Sequence, residues 1–474
     1  MKLADLRRVG RAPVVPLRVD WFEQQVVVDH WLRVLPGRRY VGRALWNERT
    51  VLVKLLVGKG VARAFRQELD GAKTLAQADI VTPKLLESGC NAQGAWLIFE
   101  FLESAESLGH AWAAVVEEPM LSAAQRGILS EALGVMAHMH LQGVWQADLH
   151  LDNLLRHQQQ LYVVDGGGVE HERIAQPLSR ARVIENLAVF FAQLPAALTP
   201  WYAELLDVYS AQNATVTLKA SDLDDDIARI RRWRLKDWMS KVGRDCSQFS
   251  VRHSLSGLTA GVRGQLAKLQ PVLESPEEWM ERGKALKRGG TATVVEAVVN
   301  DQRLVVKRYN IKSVGHWLTR FWRPSRAWHS WAQGHRLRFL GIDTPQPLAV
   351  IERRRAGLRG RSYLITEHGG NEDIIQRFAA YVDSSPSESD LQALDRLFAA
   401  FVREQVSHGD LKGHNILWQH NHWVLIDLDA AQQHSNPRRW RQAYARDRAR
   451  FLRNWPSDSA LYRLLDQRLP SIPA

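Results

Sequence analysis

Two short apolar runs, each closed by an acidic residue, stand out along the chain. Leu161-Tyr162-Val163-Val164 runs into Asp165, and Trp423-Val424-Leu425-Ile426 runs into Asp427. A run of this length predicts a buried strand, which delivers a carboxylate at its end. Val51-Leu52-Val53 leads into Lys54 and Leu304-Val305-Val306 into Lys307, so two further strands deliver an amine. Ile128, Leu133, Met136 and Met139 recur at helical spacing and predict an amphipathic helix over Gln125 to Gln142. Leu394, Leu397, Phe398 and Phe401 do the same over Leu391 to Gln405. Ala95 to Phe101 and Ser362 to Thr366 read as strands leading to a hinge. The most apolar window, Leu187 to Leu198, is interrupted by Gln193 and Pro195. A spanning helix needs about 20 apolar residues, so this window predicts a buried helix.

The two halves repeat one another. Ala147-Asp148-Leu149-His150-Leu151-Asp152-Asn153-Leu154-Leu155 and Gly409-Asp410-Leu411-Lys412-Gly413-His414-Asn415-Ile416-Leu417 share the pattern Asp-Leu-x-x-x-Asn followed by two aliphatic residues. In each half the strand-ending acid follows the loop aspartate by 17 residues. The order Lys, Asp, Asn, Asp thus occurs twice, each time with a predicted helix ending just before the loop. The junction is expected near residues 265 to 280, where Pro271, Ser275 and Pro276 interrupt a helical stretch.

These residue types in this order suit phosphoryl transfer, which needs charge neutralisation and in-line positioning more than covalent chemistry. Lys54 and Lys307 are placed to hold nucleotide phosphates. Asp165 and Asp427, with the amide oxygens of Asn153 and Asn415, are placed to hold Mg²⁺. Asp148 and Asp410 are the candidates for activating an acceptor hydroxyl. Glu68, in Phe65-Arg66-Gln67-Glu68-Leu69, is a candidate ion-pair partner for Lys54. The corresponding stretch of the second half, Ser325 to Leu340, contains no acid, which leaves Lys307 without an expected partner. Gly37 and Gly42 precede Lys54, and Gly289 and Gly290 precede Lys307, where a phosphate-covering turn would lie. The set is a reduced form of the protein-kinase signature. Neither half carries an Ala-Pro-Glu element after the metal-binding acid, so a glycan or small-molecule acceptor is expected rather than a peptide.

Composition narrows the setting. With 45% hydrophobic and 24% charged residues the chain is a folded protein rather than a disordered one. Its two cysteines, Cys90 and Cys246, exclude a disulfide framework and suit a reducing compartment. The first residues, Met1 to Asp20, hold basic residues but no continuous apolar core, so no signal peptide is expected. The formal net charge is +12 and there are 18 tryptophans. Arginine and tryptophan mix in Arg229 to Arg244, around Trp317 to Trp331, and from Arg438 to Trp455; Arg353 to Arg361 is a further basic cluster. Together these suggest an anionic, membrane-proximal acceptor, while each segment alone also fits an amphipathic helix with buried tryptophans. No nucleic-acid module is recognisable.

His408-Gly409-Asp410-Leu411-Lys412-Gly413-His414-Asn415-Ile416-Leu417 with Ile426-Asp427-Leu428-Asp429 resembles the catalytic and metal loops of the lipopolysaccharide core kinases, the Kdo and heptose kinase family of the protein-kinase-like superfamily. Gly37-Arg38-Arg39 with Val53-Lys54, and Lys241-Val242-Gly243-Arg244-Asp245-Cys246, also look like that family. The resemblance implies ATP and Mg²⁺ as cofactors. As partner it implies the lipopolysaccharide core or a lipid A-core glycolipid, with a heptose or Kdo hydroxyl as acceptor. A cytoplasmic protein is expected, in peripheral contact with the inner face of the inner membrane. The expected fold class is α+β: two tandem protein-kinase-like bilobal folds, residues 1–270 and 271–474, each with a small β-rich N-lobe and a helical C-lobe. The halves depart from the family pattern at Gln146, where a loop-bracing histidine is expected. They depart again at Gly166-Gly167-Gly168 and Leu428-Asp429, which replace Phe-Gly after the metal acid. An enzyme with one working unit and one regulatory pseudokinase, or a non-catalytic adaptor of lipopolysaccharide assembly, would share these motifs.

Overall fold

The computed structural model describes residues 1–21, 24–310, 325–355 and 358–472. Trp317, Arg320, Phe321, Trp322 and Arg323 lie outside them, as do the side chains of residues 355–359. Packing divides the chain into two units, Met1–Arg232 and Trp233–Ala474.

In the first unit, six antiparallel strands stand in the order Leu17–Trp21, Gln24–Leu35, Arg39–Trp46, Arg49–Leu56, Ala95–Glu100, Leu85–Cys90. Val26, Val28, Val51, Val53, Leu55 and Ile98 are fully buried on this sheet, as the apolar runs require. The helix Val61–Gln77 follows the lysine strand. A helical part comes after the sheet, built on Ala123–Leu141, Arg180–Phe191 and Tyr202–Gln212. The first of these buries Ile128, Leu129, Leu133, Met136 and Met139, the face its periodicity predicts. The apolar window at Leu187 closes that helical core with Phe190 and Phe191, and the helix stops at Phe191, before Pro195. Among the described residues, no helix is long and apolar enough to cross a membrane.

The second unit has seven antiparallel strands in the order Phe249–Ser254, Gly257–Val262, Pro347–Arg355, Leu358–Glu367, Gln302–Tyr309, Ala292–Val299, Lys284–Arg288. Five of them follow the same spatial order around the lysine strand as five strands of the first unit. The register matches as well: Lys54 lies opposite Val41 and Leu97, and Lys307 opposite Val294 and Leu364. The helical part centres on Glu388–Glu404 and Pro437–Leu452, which bury Leu394, Leu397, Phe398, Phe401, Tyr444 and Phe451.

The division at residue 232 lies well before the junction expected near residues 265 to 280. The hairpin 249–262 pairs onto Pro347–Arg355 and so belongs to the second sheet. Leu269, Val272 and Met280, from the helices Leu266–Glu274 and Pro276–Arg282, enter that sheet's core. Pro271 lies inside the first of these helices, and the break falls at Ser275, with Pro276 opening the next helix at its first position. The tryptophans divide too. Trp331, Trp440 and Trp455 are buried in cores and have no face to offer a membrane interface, whereas Trp233 is 64% exposed.

Candidate functional site

In the second unit Lys307 sits mid-sheet, and its Nζ donates to Asp427 Oδ1 at 2.5 Å and to Asp429 Oδ1 at 3.0 Å. Asp427 follows the strand His422–Leu425 and turns the chain into a single helical turn with φ 60° and ψ 54°. Left-handed backbone costs a non-glycine residue of order 1–3 kcal/mol and persists only where surrounding contacts hold it. Those contacts are present. His408 is buried and donates from Nε2 to the Ile426 carbonyl at 2.9 Å, while its Nδ1 accepts the Asp410 N–H at 3.3 Å. Burial pushes this imidazole's pKa down, so it stays neutral with one nitrogen donating and the other accepting. Asn415 Nδ2 donates to the Asp410 carbonyl at 2.9 Å, and the Ile426 N–H donates to the Asn415 carbonyl at 2.9 Å. Asp410, Asn415 and Asp427 are therefore tied into one frame.

A residue with no motif signal anchors this frame. The buried carboxylate of Asp447 accepts the N–H groups of His408 at 2.6 Å and Gly409 at 3.0 Å. Its only sequence cue is that it is the single acid in the arginine-rich helix Pro437–Leu452. The Asp410 carboxylate itself pairs with Lys412 at 3.2 Å and with Arg450. Burial pushes its pKa up, but the two cations outweigh burial and hold it below the usual carboxylate range.

A cleft of about 500 Å³ opens beside Lys307. Val294, Val305, Leu364, Leu417 and Ile426 give it apolar walls, and Lys307, Asn415, Asp427 and Asp429 give it a polar end. Apolar walls with convergent polar groups suit a ring system bearing charged substituents. The hard oxygens of Asp427 and Asn415 suit Mg²⁺, which is held by one or two carboxylates plus phosphate oxygens rather than by a full protein cage. No group of three or more His, Cys, Asp or Glu side chains gathers as a cage among the described residues. The hairpin turn carrying Gly289 and Gly290 joins the strands Lys284–Arg288 and Ala292–Val299. A second cleft of about 660 Å³ adjoins the Asp410 loop and is lined by Gly409, Gln432, His434, Arg446, Arg450 and Arg453.

The first unit assembles the same residue types with different details. Lys54 Nζ donates to Glu68 Oε2 at 2.6 Å and to Asp165 Oδ1 at 3.2 Å. Glu68 is wholly buried, and Arg39 lies 3.0 Å from its other oxygen and 3.8 Å from Asp165. Burial pushes the Asp165 carboxyl up, but Lys54 and Arg39 outweigh it and hold the pKa low. Asp165 takes φ 69° and ψ 73°, matching Asp427. Gln146 stands in for the bracing histidine. Its Nε2 donates to the Val164 and Asp165 carbonyls at 2.9 and 2.6 Å, and its Oε1 accepts Asn153 Nδ2 at 3.1 Å. Asn186 secures this loop by donating to the Gln146 carbonyl at 2.8 Å. Gly37 occupies the turn between the strands Gln24–Leu35 and Arg39–Trp46, whereas Gly42 lies within the second of these strands. Gly71 lets the helix Val61–Gln77 back directly onto the turn that follows Asp165, since a Cβ there would overlap the Gly166 carbonyl oxygen. Asp148 differs from Asp410: it is exposed, has no side-chain partner among the described residues, and is followed two positions on by His150 rather than a lysine.

Residues 271–456 match the Lipopolysaccharide kinase (Kdo/WaaP) family. The 3-deoxy-D-manno-octulosonic acid kinase of Xanthomonas oryzae pv. oryzae is 28% identical over 189 residues, 38% of this chain and 74% of that protein. The enzyme of the same name from Stenotrophomonas maltophilia is 28% identical over 202 residues, 40% of this chain and 77% of that protein. A solved structure of WaaP in complex with acyl carrier protein aligns at 18% identity with a TM-score of 0.33, covering 44% of this chain and 86% of that one.

Proposed function

We propose, from the premise that this chain is a kinase whose residues 271–456 match the lipopolysaccharide kinase (Kdo/WaaP) family, that it phosphorylates a heptose or Kdo hydroxyl of the lipopolysaccharide inner core, using ATP and Mg²⁺. The observation that carries the reading is the convergence of Lys307, Asn415 and Asp427 on one cleft, with the ionised Asp410 beside it. Lys307 holds nucleotide phosphates. Asn415 and Asp427 hold Mg²⁺, which when bound neutralises charge on the transferring group. Asp410 accepts the proton of the acceptor hydroxyl, and Lys412 and Arg450 keep it ionised so that it can. The arginines of the adjoining cleft suit an acceptor that carries negative charge.

The first unit is read as a second kinase-like fold in tandem, binding nucleotide through Lys54, Glu68, Asn153 and Asp165. Its strand order and lysine register support this. Asp148, without a side-chain partner among the described residues, and the His150 two positions on favour transfer at the second unit rather than the first.

Mass spectrometry of core oligosaccharide from cells with and without the protein tests the acceptor. The expected result is the loss of one core phosphate on a heptose or Kdo, and an unchanged core would refute the assignment. The role of Asp410 has its own test. Arg450→Met removes a cation that lowers its pKa, so the carboxylate protonates at higher pH and the acid limb of the kcat–pH profile moves upward. A stationary acid limb would mean that Asp410 is not the titrating base.

A further inference from the structure

We infer that Asp429 is the positioning residue that fixes Lys307, performing within the metal-acid turn the task that a helix glutamate performs in the first unit. The inference rests on reading the second unit as the nucleotide-binding kinase unit.

The two units place this carboxylate from opposite sides. In the first, Glu68 comes from the helix after the lysine strand, and the position two residues beyond Asp165 is Gly167. A Cβ at Gly167 would stand 2.9 Å from Glu68 Oε1, so a side chain on the turn would crowd the carboxylate that Lys54 holds. In the second, the helix Arg326–Phe339 contains no acid and turns the buried Ser330 toward the site. The position two residues beyond Asp427 is Asp429. A carboxylate on the helix goes with glycine on the turn, and a carboxylate on the turn goes with serine on the helix.

Asp429 is held as a buried anion has to be. Its Oδ1 accepts from Lys307 Nζ at 3.0 Å, Tyr309 Oη at 2.7 Å and Ser330 Oγ at 2.7 Å, and its Oδ2 accepts from Arg326. The side chain is only 12% exposed. A buried carboxylate persists only when charge partners and hydrogen bonds meet its lone pairs, and four donors do so here. Burial pushes its pKa up, yet Lys307 and the other donors hold it below the usual range. With both oxygens committed to protein donors, Asp429 acts on the lysine, while the metal falls to Asp427 and Asn415. Lysine anchor and metal acid then lie two positions apart on one turn, so their spacing is set locally.

The test uses the full chain, with ATP turnover, Mg²⁺ titration and melting temperature read together. Asp429→Asn is expected to raise KM for ATP by about tenfold to a hundredfold, the scale of a hydrogen bond to a charged group. The Mg²⁺ concentration giving half-maximal rate at saturating ATP should stay unchanged. Asp429→Gly should do the same damage, and Ser330→Glu/Asp429→Gly, which moves the acid to the helix, should recover most of the lost KM and melting temperature. A double variant no better than Asp429→Gly, or one that regains melting temperature without KM, overturns the inference. A shifted Mg²⁺ requirement with unchanged KM for ATP overturns it in favour of a metal ligand. Lys307→Met is run in parallel: if it leaves KM for ATP untouched, the reading of the cleft as the nucleotide site fails, and not the exchange of acids alone.

Discussion

Asp410→Asn is expected to lower turnover on lipopolysaccharide core by a factor on the order of 10²–10⁴, the usual contribution of a positioned general base, while ATP affinity stays within about twofold. The asymmetry follows from where the carboxylate sits. Asp410 pairs with Lys412 and Arg450, and Arg450 lines the basic cleft; the apolar cleft is lined by Lys307 and Asp427. Asparagine preserves size, and the loop is held by contacts that bypass the carboxylate: His408 to the Ile426 carbonyl, Asn415 to the Asp410 carbonyl, and Asp447 to two N–H groups. The comparison variant, Asp148→Asn, should leave turnover within about twofold. Isothermal titration with a non-hydrolysable ATP analogue, beside steady-state rates, separates the outcomes. Equal loss of binding and turnover at Asp410 would mean that the residue is structural. A large loss at Asp148 instead would place the transfer in the first unit.

Lys54→Met should destabilise the first unit by about 3–5 kcal/mol, because it strands buried negative charge. Glu68 is wholly buried and Asp165 partly so, and Lys54 supplies both with their shortest charged contact. Arg39 remains beside them but lies farther from Asp165 and cannot reach both acids as closely. For a unit of this size each kcal/mol moves the midpoint by about 2–4 °C, so a drop on the order of 10 °C is expected in the melting of the full chain. The double variant Lys54→Met/Glu68→Gln removes the stranded charge and should recover much of the loss. A single variant that melts like the parent would show that solvent or Arg39 already neutralises the pair.

The chemistry-bearing order was legible in the sequence because each element of it is local. A strand ending in lysine, a loop with Asp and Asn at fixed spacing, and a strand ending in aspartate each announce themselves within ten residues. The helices over Ala123–Leu141 and Glu388–Glu404 were legible from periodicity to within a turn at either end. What stayed hidden depends on tertiary meeting. Lys307 finds its second acid 122 residues away, on the turn after Asp427, where a search along the following helix does not look. Asp447 is an isolated acid among arginines until folding brings it under the His408 loop. The junction was misplaced because prolines mark helix starts as readily as linkers, and Pro276 is one of the former. The tryptophan-rich stretches divided because composition does not say which side of a helix faces in: Trp440 is buried while Arg438, Arg439 and Arg441 around it are exposed.

Gly71 has a consequence for how the first unit can drift over generations. The helix there touches the Gly166 carbonyl with bare backbone, and no flexible side chain stands between them to absorb a change. Adding one methyl group would push the helix back by roughly 1 Å or more to restore ordinary atomic contact. Glu68 rides on the same helix one turn earlier, so the displacement would pass straight into its 2.6 Å bond with Lys54. Position 71 is therefore a gauge that sets the reach of a charge pair it never touches. Lineages that lose this glycine should be found to have lost or relocated Glu68 as well.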